Sequence, residues 1–592
     1  MICKMKKYTF LVYHKEYESF LTLLREVGVM HITEKAEGYV DDPELGTMLA
    51  RYDEVQRLLE KGATDALLAE RESLTKKIAD AENEELRLSV WGDFSSEKVE
   101  QLEKAGYKLH YHVCPAKKFE DQWGVPVATV KGNTYFVTLE GLGIEAVEFD
   151  PMLVRTEEIA CSATEKHQEI VELQSALADV EARVKAWQKE QLPLLEKEAE
   201  TLLRQMDWQR VVLSTDHVAG DSLRLFEGYC PEENSVALDE TLAAEHVWYQ
   251  KEDAVSGDLS APAKLENGRF ARLFESLTGM YGWPTYGEFD PTPLLAPFFL
   301  LFFAMCMGDA GYGIILLIFG TLMAKGKIQV DMFKGMGPII AVLGAGTLVI
   351  GLLLGTFFGM PLFEQSWVPE AVKPFIIQGK VQLASGSSFD IQMLLAVGIG
   401  VFHICFAMIV KCLCYTKRFG WKETISQWSW TLLIVGAVLT LTVAALASLD
   451  MELVKYILIG IGAVSALGIY IFNKPGRNPL INIGMGLLDT YSMASGILGD
   501  VLSYLRLYAL GLAGGALGKT FNDLAVMCLG GEPSLLWIVA VPGFILIILS
   551  GHTLNILMSC LGAFVHPLRL TFVEYFKNSG YEGQGVLYKP FK

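Results

Sequence analysis

From about residue 294 to 580 the chain is a succession of apolar runs long enough to cross a bilayer, and no other feature constrains its fold as strongly. Roughly 30 Å of hydrocarbon needs about twenty residues of helix, and every backbone polar group inside it must be satisfied within the segment. The second half is therefore expected to be an α-helical membrane domain. Apolar helices are expected near 294–308, 310–324, 336–358, 391–410, 427–449, 453–473, 480–518 and 534–566. The first two are short enough to be mistaken for one span, and loop charge separates them. Lys325, Lys327 and Lys334 share one short loop, Lys411, Lys417, Arg418 and Lys422 a second, and Lys474 and Arg477 a third. Basic loops stay cytoplasmic. The N-terminus, MICKMKKYTFLVYHKEYESF, lacks a continuous apolar core, so no cleavable signal peptide is expected and the first half should remain in the cytoplasm. An even number of crossings must then precede Lys325, which makes the first block a hairpin and gives about eight helices with both termini inside.

The first half is charged and mixed, and holds much of the net charge of −19. An acidic chain points away from nucleic acid, which wants a basic surface. Residues 5–32 read as strand, helix, strand, with EYESFLTLLREVG ending on Gly28. A second α/β unit spans about 86–150, with LRLSVWGDF, a helix across SSEKVEQLEKAG, then KLHYHV and GNTYFVTLEG. No phosphate-binding G-x-x-x-x-G-K-[ST] loop occurs, so the chain itself is not expected to hydrolyse nucleotide. Ten scattered cysteines, with Cys412 and Cys414 the only close pair, read as reduced and structural, and no metal or cofactor is expected.

Two helical segments flank the second unit. Leu173, Leu177, Val180, Val184 and Trp187 follow a 4-3-4 spacing, resumed after Pro193 by Leu195, Ala199, Leu202 and Met206. Met48, Tyr52, Val55, Leu59, Leu74, Ile78 and Ala81 supply an earlier stripe. Such a/d seams predict an antiparallel coiled coil of about 44–85 with 158–215, forming a stalk; two ordinary surface helices on one core are the alternative. The expected domains are 1–260, a linker at 261–293, the membrane domain at 294–580 and a tail at 581–592. VSGDLSAPAK, near 255–265, marks the boundary.

The last two membrane helices are longer than a bilayer requires, as tilted helices are, and each carries a polar stripe. Asp489, Ser492, Ser495, Asp500, Ser503 and Arg506 fall within an arc of about 140°, and His552, Asn555, Ser559, His566 and Arg569 within about 100°. Such stripes either line an aqueous ion path or glue helices together. A charge at the centre of a membrane helix costs roughly 2.5–3.5 kcal/mol, so Arg506 and Arg569 point to a path.

Four stretches resemble one family, the membrane stator subunit of V-type (vacuolar and archaeal) rotary ATPases, called subunit I in bacteria and the a subunit elsewhere. They are PAKLENGRFARLFESLTGMYGWPTYGEFDPTPLLAPFF (262–299), MGDAGYG (307–313), GDVLSYLRLYALGLAGG (499–515) and GAFVHPLRLTFVEYF (562–576). The first half is similar more weakly, through Trp91-Gly-Asp-Phe94. The resemblance implies two α/β lobes on a coiled-coil rod that bind peripheral-stalk subunits of E and G/H type and the C/d subunit on the central-stalk side. It implies a membrane half beside a ring of proteolipid (K or c) subunits bearing ion-binding carboxylates, in a bacterial or archaeal cytoplasmic membrane. It places the essential arginine at Arg506 and the second arginine at Arg569. Glu574 joins Asp489, Ser492, Asp500, Ser503, His552, Asn555, Ser559 and His566 as a channel-lining candidate, and Asp309 marks the membrane-entry motif. A self-contained secondary transporter, with Arg506 binding an anion, and a scaffold without an ion path are the competing readings.

Overall fold

The structure is a computed structural model that describes residues 2–33, 42–120, 122–141, 149–150, 153–159, 161–245, 247–327, 335–365, 370, 373–377, 379–382, 388–447, 450–472, 479–529 and 537–592. Lys334, Lys474 and Arg477, used above to orient two loops, lie outside the described residues. The chain divides into two units, 34–214 and 1–33 with 215–592.

Strand β1 (Met5–Tyr13), helix α1 (Tyr17–Val27) and strand β2 (His31–Ile32) follow the pattern read from residues 5–32. α1 buries Tyr17, Phe20, Leu21 and Leu24 and stops at Gly28, whose φ of 62° lets its N–H return to the Leu24 carbonyl.

The 34–214 unit contains α2 (Pro43–Lys61), α3 (Asp65–Leu88), α4 (Ser96–Lys104), β3 (Lys108–Pro115), β4 (Val125–Val130), β5 (Asn133–Glu140), β6 (Arg155–Glu157) and α5 (Ala163–Leu213). Val55 packs on Leu195 and Ala199, and Ala63 on Val180 and Val184, so α5 runs antiparallel to α2 and α3. A reciprocal cap starts α5: Ser162 Oγ accepts the Glu165 N–H at 3.3 Å and the Glu165 carboxylate accepts the Ser162 N–H at 3.1 Å. The four strands form an antiparallel sheet in the order β4-β5-β3-β6. LRLSVWGDF opens the unit as the end of α3 and a 3-10 turn at Ser89–Trp91, not as a strand. Leu88 and Trp91 are buried there, and the Trp91 ring stands edge-on to Tyr111 and Tyr135.

In the other unit, β7 (Asp216–Val218), β8 (Leu223–Pro231), α6 (Glu232–Ala244) and β9 (Trp248–Asp253) complete a sheet ordered β2-β8-β1-β9, with β7 on β8. β1 pairs antiparallel with β8, Phe10 opposite Phe226, across more than two hundred residues of sequence. Then come β10 (Pro262–Ala263), α7 (Arg269–Arg272) and α8 (Glu275–Tyr281).

The apolar half follows as α9 (Thr292–Met307), α10 (Ala310–Ala324) and α11 (Gly337–Leu354). Short strands β11 (Thr356–Phe357), β12 (Met360–Pro361), β13 (Lys380–Gln382) and β14 (Ser388–Asp390) precede α12 (Ile391–Phe419), α13 (Ile425–Ala447), α14 (Met451–Tyr470) and α15 (Pro479–Ser503). α16 (Leu505–Leu529) and α17 (Trp537–Arg569) lead to a π-helical segment (Leu570–Tyr575), α18 (Phe576–Ser579) and β15 (Val586–Leu587). Six spans among the described residues are long and apolar enough to cross a membrane, and α9 and α10 are two shorter apolar helices. α10 and α11 touch backbone to backbone, and a Cβ on Gly320 or Gly344 would come within 2.3–2.4 Å of the facing main chain. The helix expected over 480–518 is instead two, α15 and α16, interrupted at Tyr504.

After α18 the chain returns to the N-terminal sheet. β15 pairs parallel with β10, and Phe591 donates its N–H to the Met30 carbonyl at 2.8 Å. The Tyr588 hydroxyl donates to the Val29 carbonyl at 2.6 Å, and His31 Nδ1 lies 2.9 Å from the Lys589 carbonyl.

Candidate functional site

Arg506 lies in the first turn of α16, directly after the interruption. The Tyr504 N–H reaches back to the Val501 carbonyl and the Leu507 N–H to the Tyr504 carbonyl, each at 3.1 Å, so the chain tightens to three-residue spacing before α16 begins. The Nη1 of Arg506 is buried and has no hydrogen-bond partner among the described residues. His566 Nδ1, Glu574 Oε2 and the Tyr575 hydroxyl share that condition. These are four of nine such atoms among the described residues, and they gather on the start of α16 and the end of α17 and its π-helical continuation. Arg506 is in electrostatic reach of His566, Glu574 and Cys306. Arg569, exposed, lies within reach of His566 and directly precedes the π-helical segment.

On one side of Arg506 is an acidic cluster. Asp500 is buried and accepts from Asn578 Nδ2 at 2.8 Å and from Lys577 Nζ at 3.5 Å. Asn578 Nδ2 also donates to the Glu574 carbonyl at 2.6 Å. A cavity of about 340 Å³ is lined by Asp489, Ser492, Asp500, Lys411, Lys577 and Asn578. Asp489 and Ser492 are exposed around it. The Ser503 hydroxyl donates to the Gly499 carbonyl at 3.0 Å, a back-bond that favours a bend at the helix end.

On the other side, three helices, α10, α16 and α17, meet in a neutral network. Asn555 Nδ2 donates to the Tyr312 hydroxyl at 2.7 Å and to the Gly514 carbonyl at 2.9 Å. The Tyr312 hydrogen is then directed at His552 Nδ1, 2.8 Å away, and the opposite ring nitrogen faces Asn522 Oδ1 at 3.0 Å. Asn522 Nδ2 donates to the Phe358 carbonyl at 2.7 Å, and the Ser559 hydroxyl to Asn555 Oδ1 at 3.3 Å. Asp309 lies beneath as a backbone clamp. Its Oδ1 accepts the N–H groups of Gly311, Tyr312 and Phe358 at 2.8, 3.3 and 2.8 Å, and its Oδ2 that of Gly359 at 2.7 Å.

The structure thus brings Asp489, Ser492 and Asp500 together at one cavity, and His552, Asn555 and Ser559 into one network. Sequence reasoning missed Tyr312, Asn522, Lys577 and Asn578. Lys577 continues the α17 stripe beyond the apolar run, and Tyr312 stands inside MGDAGYG, but Asn522 carries no local signal.

A profile of the V-type ATPase 116kDa subunit family matches residues 148–373 and 494–592, over half of the chain. The chain belongs to this family. Both clusters fall largely within the matched stretches, which hold Asp309, Tyr312, Asp500, Arg506 and all of α17. The chain is similar to an A-type ATP synthase subunit I of Methanocaldococcus jannaschii, with 29% identity over 454 residues, 70% of this chain and 63% of that protein. It is similar to one from Pyrococcus horikoshii at 32% over 336 residues, 56% of this chain and 47% of that protein. A V-type ATP synthase subunit I of Borreliella burgdorferi is 24% identical over 639 residues, spanning 100% of this chain and 99% of that protein. The alignments thus cover less than two thirds of these archaeal relatives and nearly all of the bacterial one. With its six long apolar spans, this member of the V-type ATPase 116kDa subunit family is a multi-pass membrane protein.

Proposed function

We propose that the chain is the membrane stator subunit of a V-type rotary ATPase or ATP synthase, non-catalytic toward nucleotide, whose α15–α17 walls carry H+ or Na+ to and from carboxylates on a proteolipid ring. The observation that carries this reading is the buried, unpaired Nη1 of Arg506, beside three further unpaired polar atoms. Unsatisfied buried groups are rare, and an unpaired guanidinium in a membrane helix is costly. A carboxylate arriving on another subunit supplies the missing acceptor. Arg506 as a whole is half-buried, and the spans that carry it and Arg569, Ile481–Leu529 and Ala540–Ser579, are 17% and 11% buried, comparable to the 11% of Ile425–Ala445.

In this mechanism an ion enters one half-channel and neutralises a ring carboxylate, which then faces lipid. On meeting Arg506 the carboxyl ionises, because a nearby cation favours its charged form, and the ion leaves by the other half-channel. The Asp500 cavity and the Tyr312–His552 network are the two half-channel candidates. Asn555 and Asn578 are roughly 30 Å apart along their helix, enough to reach toward opposite faces. Arg506 stands between them and repels cations that would cross directly.

The pairing of β15 with β10 and of Phe591 with Met30 supports placing both termini on one side, the cytoplasm, after an even number of crossings. α9 and α10, joined through the Gly308–Asp309 turn, complete eight crossings as a hairpin. The antiparallel α2–α3 and α5 helices serve as the coiled-coil rod of a stalk-binding region within 1–260. That region engages E and G/H peripheral-stalk subunits and the C/d subunit on the central-stalk side. Residues 261–293 link it to the membrane domain, 294–580, and 581–592 form the tail.

Ion flux into reconstituted vesicles, with and without ATP, tests the assignment. Arg506→Ala is expected to abolish ATP-driven flux while the complex still assembles. Arg506→Lys is expected to lose most of it, because a compact, hydrated ammonium cannot reproduce five fixed donors. Substantial pumping by the alanine variant refutes the reading.

A further inference from the structure

His403 belongs to α12, two turns before Lys411 of the Asp500 cavity, and is 1% exposed. An imidazole is buried among aromatic rings at a cost unless it has a partner. Its Nδ1 is 2.8 Å from the Tyr504 hydroxyl, and its ring stacks on Tyr575 with centroids 4.7 Å apart and planes 9° apart. Phe298 and Phe302 close two further sides, at 4.2 and 5.1 Å. Tyr504 is the single residue between α15 and α16, and Tyr575 ends the π-helical segment that follows Arg569. One side chain therefore touches both helix irregularities that flank the arginines.

Beside the local Ser503 back-bond, the interruption at Tyr504 has tertiary support. Val501-Leu-Ser-Tyr-Leu-Arg-Leu507 contains neither proline nor glycine, the usual origins of a break. Tyr504 is instead drawn into the core and fully buried, edge-on to Phe302 at 5.7 Å. Its ring lies over Gly400, where a Cβ would come within 2.4 Å of the Tyr504 Cγ. Gly400 is one turn of α12 before His403, so the same helix face supplies the seat for the ring and the latch for its hydroxyl. Arg506 follows two residues later, in the first turn of α16, so the depth at which the Tyr504 ring is held sets where that turn starts and where the guanidinium is placed.

We infer that His403 is a positioning residue for ion transfer: with Gly400 it holds Tyr504 at the α15–α16 interruption and thereby fixes the direction and depth of the Arg506 guanidinium. The inference rests on the assignment of ion transfer to Arg506. A cation that must meet a passing carboxylate is sensitive to placement, and a misplacement of about 1 Å costs up to about a hundredfold in comparable chemistry.

The test uses the whole complex in vesicles, with His403→Phe, Tyr504→Phe, the double variant, His403→Asn and Arg506→Ala measured together. His403→Phe and Tyr504→Phe are each expected to lower ATP-driven flux about tenfold at an unchanged amount of assembled complex. Each is also expected to raise passive flux without ATP, which a merely structural defect in α12 would not do selectively. The double variant should be no worse than the worse single, because both remove one bond. His403→Asn, which keeps a hydrogen-bonding atom near the Nδ1 position, should regain at least half the flux. If His403→Phe fails to assemble, Tyr504→Phe decides, since it preserves the packing. Normal flux in both phenylalanine variants, or additive losses, overturns the inference while Arg506→Ala remains inactive. Pumping by Arg506→Ala overturns the assignment beneath it as well.

Discussion

Asp309 offers the sharpest test of how the membrane half holds its shape. The carboxylate is 1% exposed and accepts four backbone N–H groups from two separate turns. Asp309→Asn retains one oxygen. Placed where Oδ1 now sits, it keeps Gly311, Tyr312 and Phe358 but turns an NH₂ toward the Gly359 N–H. One orphaned buried donor costs about 1–3 kcal/mol. Asp309→Ala orphans all four, which amounts to on the order of 4 kcal/mol or more even if the turns relax. Cys306, three residues earlier and 2% exposed, reports the opening of this region to a thiol reagent once the other cysteines are replaced. When opening equilibrates faster than labelling, the labelling rate follows the open population, about tenfold per 1.4 kcal/mol. Asp309→Asn should then label roughly 5- to 150-fold faster than the parent, and Asp309→Ala roughly 1000-fold or more. An asparagine variant that labels at the parent rate, or an alanine variant no faster than the asparagine one, refutes the clamp.

Tyr312→Phe removes the hydroxyl shared by His552 and Asn555. It should destabilise the chain by about 1–3 kcal/mol in the same labelling assay and lower ATP-driven flux, whereas a purely packing role predicts neither. The docked tail should respond to pH through His31, whose imidazole is held below its usual range by burial, the Lys589 carbonyl opposing and the Lys589 charge assisting. Its neutral form is the one that docks, so docking is complete above about pH 6.5 and weakens as pH falls toward the lowered value. Glu288, whose burial raises its carboxyl and which accepts the Glu582 N–H at 2.7 Å, acts with the opposite sign. Amide protection at Tyr588 and Phe591, corrected for intrinsic exchange, should therefore fall below about pH 6.5 in the parent and not in His31→Gln.

The existence of the membrane helices was legible because apolar length is a local property. α9, α10 and α12 start within two residues of the expected 294, 310 and 391. The strand–helix–strand opening was legible for the same reason, whereas the partner of β1 was not, since β8 lies two hundred residues away and nothing in either strand names the other. LRLSVWGDF misled because its apolar residues suit a strand as well as the buried end of α3. The tail, short and mixed in sequence, gave no sign of its docking, which depends on backbone groups of Val29, Met30 and Ala263.

The candidate site shows why its arrangement was less legible than its residues. A helical wheel drawn at 100° per residue assumes unbroken α-helix. The interruption at Tyr504 and the π-helical turn at Leu570–Tyr575 both reset that wheel, one just before Arg506 and the other just after Arg569. One predicted stripe thus divides, with Asp500 turned to Asn578 and Arg506 facing the neighbourhood of His566 and Glu574. No proline or glycine lies at the Tyr504 interruption, whereas Pro567 stands three residues before the π-helical turn; in both places a ring, Tyr504 or Tyr575, packs on His403, a residue of another helix. Irregular turns of this kind forgo regular hydrogen bonds and persist where surrounding packing over-determines them. Here the packing is a layer of buried aromatics that includes Tyr504 and Tyr575, and the unpaired atoms of Arg506, His566 and Glu574 are buried as well. The rigid half of the site is thus internal to this chain and set by rings distant from the arginines in sequence.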